Sequence, residues 1–348
     1  MKKYLAIFIY CVLFTVLLFF LSPIFVPKWR SGEDNYIGSI VRGYYSEGEN
    51  SLDLLFLGNS DMYRAILPIE LWDKYGIASY AYTSPGQRTW TGYYVFEDAL
   101  LYQHPKVIVY NVDSLNSSNQ SNESIYRKSF DNMKWTKNKV KAIFGNDGFQ
   151  FKRREKIEYV FPILRFHDRW KELNNEDFKY AYKEHFSYKG YDLIATSKPY
   201  EGGKSYMKDK KETYELIENV RGYLDRIVER CKEEGIELVL VEVPSADSWS
   251  LAKSKAVQEY ADSKGLTFID LNLHLDDMKF DWKKNTPDGG DHLNIYGAER
   301  VTEFLGEYLH ENYDLPDRRN DEKYSRWYED SKIFHRDVEN AKKAAQNN

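Results

Sequence analysis

Cysteine is nearly absent from this 348-residue chain. The two present, Cys11 and Cys231, fall in a hydrophobic leader and in a predicted helix, so neither a disulfide framework nor a zinc spacing exists. Lys and Arg number 49 against 54 Asp and Glu, and a net charge of -5 supplies no global basic field for nucleic acid. The G-x-x-x-x-G-K-[ST] and G-x-G-x-x-G loops are missing, which removes the usual sequence grounds for a nucleotide site. No H-E-x-x-H, no C-x-x-C pair and no cluster of acids points to a metal, and no cofactor is implied. G-x-S-x-G is missing too, which argues against the ordinary α/β-hydrolase class. Internal repeats are also lacking. Tyrosine is plentiful (29, with 8 Trp), a composition suited to amphipathic packing and, outside the cytoplasm, to carbohydrate contact.

The amino terminus carries the one long apolar run. Tyr4–Pro27 holds no charge and is bracketed by Lys2-Lys3 and by Lys28 and Arg30. It exceeds the roughly 20 apolar residues that a bilayer-crossing helix needs. A cleavable signal would have a shorter apolar core ending in small residues, and no Ala-x-Ala-like site follows. Residues 1–30 therefore read as an uncleaved anchor. Basic residues on both flanks weaken the orientation rule; for a first and only span the expected topology leaves the body outside the cytoplasm. Residues 31–50, polar and dotted with glycine, read as a linker or a short helix leaving the membrane.

The following segments alternate. Asp53–Gly58, Ala78–Thr83, Lys106–Tyr110, Ile236–Val243 and Thr267–Leu271 read as strands. Helical patterns lie between and after them, over Ile69–Tyr75, Thr91–Gln103, Lys211–Glu234, Leu251–Ser263 and Ile295–Asn312. This rhythm predicts an α/β fold, a doubly wound and mostly parallel sheet with helices on both faces. One domain over 51–315 is expected, interrupted by an insertion or cap at about 113–206. The charged tail 316–348 reads as a solvated helix or a frayed end.

Two loops carry the chemistry. Gly58-Asn59-Ser60-Asp61 closes the first strand and puts the Ser60 hydroxyl at its carboxyl end, where open α/β sheets bind ligands. Asp288–Gly297, DGGDHLNIYG, places acids and a histidine just before an amphipathic helix. Acyl transfer needs a nucleophile, a base and a group that orients the base. Ser60 is the nucleophile candidate and His292 the base. Asp288 and Asp291 are both candidates for the orienting acid. Neighbouring side chains of an extended stretch diverge, and Gly289-Gly290 lets the loop fold back, which favours Asp288. The backbone N–H groups of Ser60 and Gly86 are candidate oxyanion donors, with the Asn111 amide and Gln87 as further polar groups on the same rim. Each also has a purely structural reading: Gly86 as a turn, Asn111 as a strand cap, Gln87 as surface. Asn59 fixes the turn. His167, with Arg165, Asp168, Arg169 and Trp170, lines a groove or holds the cap by buried ion pairs. His104, His185, His274, His310 and His335 have no acid at suggestive spacing.

LFLGNSDMYRAILP, the SPGQ turn after the second strand and DGGDHLNIYGAE together resemble the SGNH (GDSL-like) hydrolase superfamily from Asp53 to about Tyr308. The chain is most similar to its membrane-anchored members that accompany membrane-bound O-acyltransferases, a group that includes D-alanyl transfer and alginate-acetylation proteins. PILRFHDRW also resembles that group. The resemblance implies a three-layer αβα, flavodoxin-like fold. It places the nucleophile on Ser60, the base on His292 and oxyanion donors on Ser60, Gly86 and Asn111. A membrane-bound O-acyltransferase partner and a surface polysaccharide acceptor are implied as well. Two positions depart from the family: Asn59 stands where Asp or Ser is usual, and Gly289 where the family has the acid three residues before its histidine. The function expected is O-acyl transfer or ester hydrolysis; a non-catalytic scaffold for an acyltransferase is the alternative.

Overall fold

The computed structural model describes residues 1–28, 37–118, 122–182 and 185–347. Five strands form one sheet: β1 (Leu54–Leu57), β2 (Ser79–Ala81), β3 (Val107–Asn111), β4 (Glu237–Glu242) and β5 (Thr267–Asp270). Their order is β2-β1-β3-β4-β5 and every pair is parallel. In this doubly wound order the chain reverses its direction of winding between β1 and β3, so a crevice opens at their carboxyl ends. The registers Leu57↔Tyr110 and Asn111↔Val241 align those ends.

The strands are short and apolar because both faces are covered. Leu55, Leu57, Ile108, Tyr110 and Leu240 enter one core, and Leu54, Phe56, Val107, Val109 and Val241 enter the other. Each such side chain removed from water contributes about 1.5–3 kcal/mol before the entropy of ordering is set against it.

Fourteen helices surround the sheet among the described residues. The first is α1 (Lys2–Phe25), long and apolar enough to cross a membrane. After it come α2 (Gly38–Tyr44), α3 (Ser60–Ala65), α4 (Pro68–Tyr75) and α5 (Thr89–Ala99). The insertion holds α6 (Glu123–Phe130), α7 (Lys137–Phe144), α8 (Arg153–Val160), α9 (Ile163–Phe166) and α10 (Asn175–Tyr182), with no strand among its described residues. The carboxyl-terminal half adds α11 (Glu218–Glu234), α12 (Leu251–Lys264), α13 (Ile295–Asn312) and α14 (Ser325–Gln346).

Three expectations need correction. The helix expected from Lys211 starts at Glu218: Lys211 sits at φ 57 and the chain to Ile217 is irregular. Of the linker or short helix expected over 31–50, the described part holds the short helix α2, packed into the body rather than leading away from it. Every residue of α2 is buried, and the Tyr44 ring stacks 4.0 Å from that of Tyr82; residues 29–36, with the flanking Arg30, lie outside the described residues. The tail is neither solvated all round nor frayed. In α14, Trp327, Phe334 and Val338 are buried, and the Trp327 ring lies 5.1 Å from Trp72 of α4. Its charges misled because they occupy only the outer face of an amphipathic helix. Before α14, Arg318 grips the Asp53 carboxylate through two bonds of 2.8 and 2.7 Å.

Candidate active site

Gly58 ends β1 at φ 146, where a Cβ would lie 2.7 Å from the Cβ of Asn111. Only glycine lets the two strand ends approach this closely. Asn59 then caps α3: its Oδ1 accepts the Asp61 N–H at 3.1 Å, and its Nδ2 donates to Asp113 Oδ2 at 2.8 Å. Ser60 is the first residue of α3 and is partly exposed. Its hydroxyl makes no hydrogen bond to another described residue.

The histidine loop is built around two glycines in the left half of φ space, Gly289 (φ 90) and Gly290 (φ 112). They reverse the chain so that Asp288 meets the ring four residues ahead. Asp288 Oδ2 lies 2.7 Å from His292 Nδ1, and Asp288 Oδ1 accepts the N–H groups of His292 (3.0 Å) and Asp291 (3.2 Å). Thr286 Oγ1 donates to Asp288 Oδ1 and accepts the Gly290 N–H. The Gly290 carbonyl accepts from Ala246 just past β4, and Asn294 caps α13 while donating to the backbone of Thr196 and Lys284. The loop is thus pinned on both sides of the ring, and among the described residues Asp288 alone hydrogen-bonds the ring itself.

Asp291 Oδ2 stands 3.2 Å from the same Nδ1 without sharing the backbone contacts. Burial raises the Asp288 carboxyl, but the hydrogen bonds and charge of His292 outweigh it and hold it down at about 2. Asp291 goes the other way: burial, with the charges of Asp288, Asp247 and Asp113, raises it against the pull of His292. Burial disfavours the imidazolium, yet the Asp288 bond and the charges of Asp61 and Asp291 leave His292 raised. An ionised Asp288 only accepts, so Nδ1 carries the proton and Nε2 presents a lone pair. That Nε2 lies 3.8 Å from Asp61 Oδ1, beside Ser60.

The sequence-derived oxyanion candidates divide. Gly86 occupies the third position of a turn at φ 62, after Pro85, with Gln87 N–H bonded to Ser84 O at 3.2 Å. The Ser84 N–H reaches Gly58 O at 3.4 Å and ties this turn to the end of β1. Asn111 is fully buried and its amide donates to Glu242 Oε2 at 3.3 Å. Gln87 is buried rather than on the surface, and its Nε2 donates to Ser84 Oγ at 3.0 Å. Each amide nitrogen thus has one partner within the protein, while Asn111 Oδ1 and Gln87 Oε1 are buried without one among the described residues.

Beneath Ser60 lies a group of acids that the sequence reading did not assemble. Asp61, Asp113 and Glu242 bring one carboxylate oxygen each within 4.8 Å of one another, and Asp61 and Asp291 bring one each to the same distance of one another and of a ring nitrogen of His292. Burial, then Asp113, push the Asp61 carboxyl up to about 8, and Glu242 is raised by burial and its acidic neighbours. An all-oxygen set suits a hard cation such as Mg²⁺ or Ca²⁺; shared protons neutralise it equally well. The overlooked signal was Glu242, an acid inside an apolar strand.

His167 and Asp168 are exposed, so PILRFHDRW is not a buried ion-pair cluster as a whole. His167 and Asp168 lie 3.7 Å apart in the open, while Arg165 pairs with Glu123 and Glu158 and Arg169 with Asp177. His185 and His335, for which the sequence offered no acid at suggestive spacing, meet Asp330 and Asp73 at 2.8 and 2.7 Å and fasten α14. No protein-family model and no curated protein matches the chain.

Proposed function

We propose that this chain is a membrane-anchored SGNH-type serine acyltransferase or esterase, its body outside the cytoplasm, that acylates a cell-surface polysaccharide. The observation that carries the reading is the His292 ring, locked through Nδ1 by Asp288 with Nε2 turned to the start of α3, where Ser60 stands. Ser60 Oγ attacks the acyl carbonyl carbon and its proton passes to Nε2. The backbone N–H groups of Ser60 and Gly86 receive the oxyanion. Collapse breaks the bond to the donor oxygen, which takes the proton from His292. A sugar hydroxyl, or water in an esterase, then attacks the acyl-Ser60 ester, gives its proton to His292 and frees Ser60. Acetyl is the acyl group proposed. A membrane-bound O-acyltransferase supplying it, and transfer in preference to hydrolysis, rest on family resemblance.

The test is labelling with a serine-directed fluorophosphonate and hydrolysis of p-nitrophenyl acetate. It uses the full chain in detergent, because Ser22, Ile24, Val26 and Lys28 are buried against the body. Ser60→Ala abolishes both signals, and His292→Ala lowers both by about a hundredfold or more. Equal inertness of wild type and Ser60→Ala in both assays rejects the enzyme and leaves the scaffold.

A further inference from the structure

Residues 4–21 of α1 are exposed, except the half-buried Leu18, and from Ser22 to Lys28 the chain is mostly buried in the body. Eighteen helical residues span about 27 Å, close to the roughly 30 Å of a hydrocarbon core. The body therefore begins where the bilayer ends, with no spacer between them. What meets α1 there is the insertion: α9, the 3-10 turn His167–Lys171 and α10 all pack against it. Arg169 Nη1 donates to the Phe25 carbonyl at 2.8 Å and Nη2 to Asp177 at 2.9 Å. Lys28, buried, donates to Ile24 O and Val26 O and lies 3.7 Å from Asp177. The anchor and the insertion form one rigid joint.

Large apolar side chains stand exposed on the same three elements: Leu164 at 50%, Trp170 at 64% and Phe178 at 50%. Scattered exposed residues are ordinary on a soluble surface. Here they gather on the elements that flank an emerging membrane helix, where a tryptophan favours the interface. Lys171, in the 3-10 turn, and Arg153, on neighbouring α8, are exposed too; residues 122–182 carry 14 basic against 9 acidic residues although the whole chain is acidic, while 163–182 itself is balanced at four of each.

We propose that residues 163–182 form a collar set into the interface of the bilayer that α1 crosses. Leu164, Trp170 and Phe178 enter the boundary between headgroups and acyl chains, and Lys171 and Arg153 face anionic headgroups. Amphipathic elements of this kind lie about 5–10 Å into that boundary. The inference rests on the reading of α1 as an anchor. It goes further in making the insertion a foot that fixes the height and tilt of the body above the membrane.

The experiment uses the full chain in phosphatidylcholine–phosphatidylglycerol nanodiscs. Nitroxides are placed singly at L164C, W170C and F178C in a Cys11→Ala background, with buried Cys231 left in place. V12C in α1 and E229C on the exposed side of α11 are the controls. Collision rates with oxygen and with a nickel chelate report depth. The collar labels favour oxygen at least about threefold more than E229C does, as an interfacial segment requires, and R153E/K171E moves W170C toward water. Collar labels that match E229C while V12C reads hydrocarbon overturn the collar and leave the anchor. An aqueous V12C rejects the anchor and the collar with it. Labels shielded from both reagents show a protein on the patch and overturn the lipid assignment.

Discussion

Asp288 bonds His292 twice, through the ring Nδ1 at 2.7 Å and through the backbone N–H at 3.0 Å, one carboxylate oxygen to each. Ring orientation and loop closure are thereby one interaction. Asp291, adjacent in sequence, reaches only the ring, at 3.2 Å.

This difference sets the pH profile. His292 acts as a base when neutral and its pKa is raised, so the acidic limb of kcat/KM lies above the ordinary histidine value of about 6.5. Asp288→Asn removes the bond that favours the imidazolium. The limb then moves to lower pH while the plateau falls by about 10²-fold or more, since the tautomer is no longer imposed. Asp291→Asn moves the limb less and keeps most of the rate. A pH–rate series on the three proteins decides it, and a larger loss in Asp291→Asn would transfer the role.

Asn59→Asp, close in shape to the native residue, is expected to damage this protein. The Asn59 amide donates to Asp113, and a carboxylate there would face Asp113 with Asp61 close behind. Asn59→Ala loses about 1 kcal/mol as a missing cap. Asn59→Asp keeps the capping oxygen but sets a second carboxylate against Asp113 in place of a donor, and loses stability as pH rises. Urea unfolding at pH 5 and pH 8 separates the two variants; equal behaviour of Asn59→Asp at both pH values contradicts the pairing.

For Asp61 and Glu242, burial raises both carboxyls in the fold above their unfolded values near 4. The folded state then holds protons that the unfolded chain has released, and stability falls as pH rises from about 4 through the folded value, about 8 for Asp61. Asp61→Asn and Glu242→Gln remove that penalty. They match wild type near pH 4 and exceed it at pH 9 by on the order of 1–3 kcal/mol. Thermal melts with and without millimolar Mg²⁺ or Ca²⁺ check this. A cation that stabilises wild type but neither variant would mean that metal, not protons, neutralises the cluster.

The Arg318–Asp53 fork fastens the residues before α14 to the start of β1, with Asp53 almost fully buried. Arg318→Ala leaves a buried carboxylate without its cation and costs about 2–4 kcal/mol. Asp53→Asn/Arg318→Ala costs less than Arg318→Ala alone. Denaturant titration of the two variants reads the difference, and equal losses would mean that the pair is not coupled.

Much of the architecture was legible in local pattern. The runs LLFL, VIVYN and ELVLVE are apolar enough to mark buried parallel strands, and Gly235 closes α11 at φ 69. The end of α13 at Asn312 also follows the pattern. Misread segments were those whose burial depends on distant partners. In α2, a polar and glycine-containing stretch is buried under Tyr80, Tyr82 and Asn132. The outer charges of α14 concealed its Trp327–Trp72 contact.

The sequence by itself determined the alternation of strands and helices, the apolar amino-terminal helix and the two loops that carry Ser60 and His292. These follow from periodicity, glycine position and side-chain type, all properties of neighbours along the chain. Between Asp288, which the Gly289-Gly290 pair favoured, and Asp291, both open in the sequence, the folded loop chose Asp288, because only its carboxylate reaches both the ring and the backbone N–H of His292. Tertiary structure alone gathered Asp61, Asp113 and Glu242, because acids from three separate segments become neighbours only when parallel strands align their carboxyl ends.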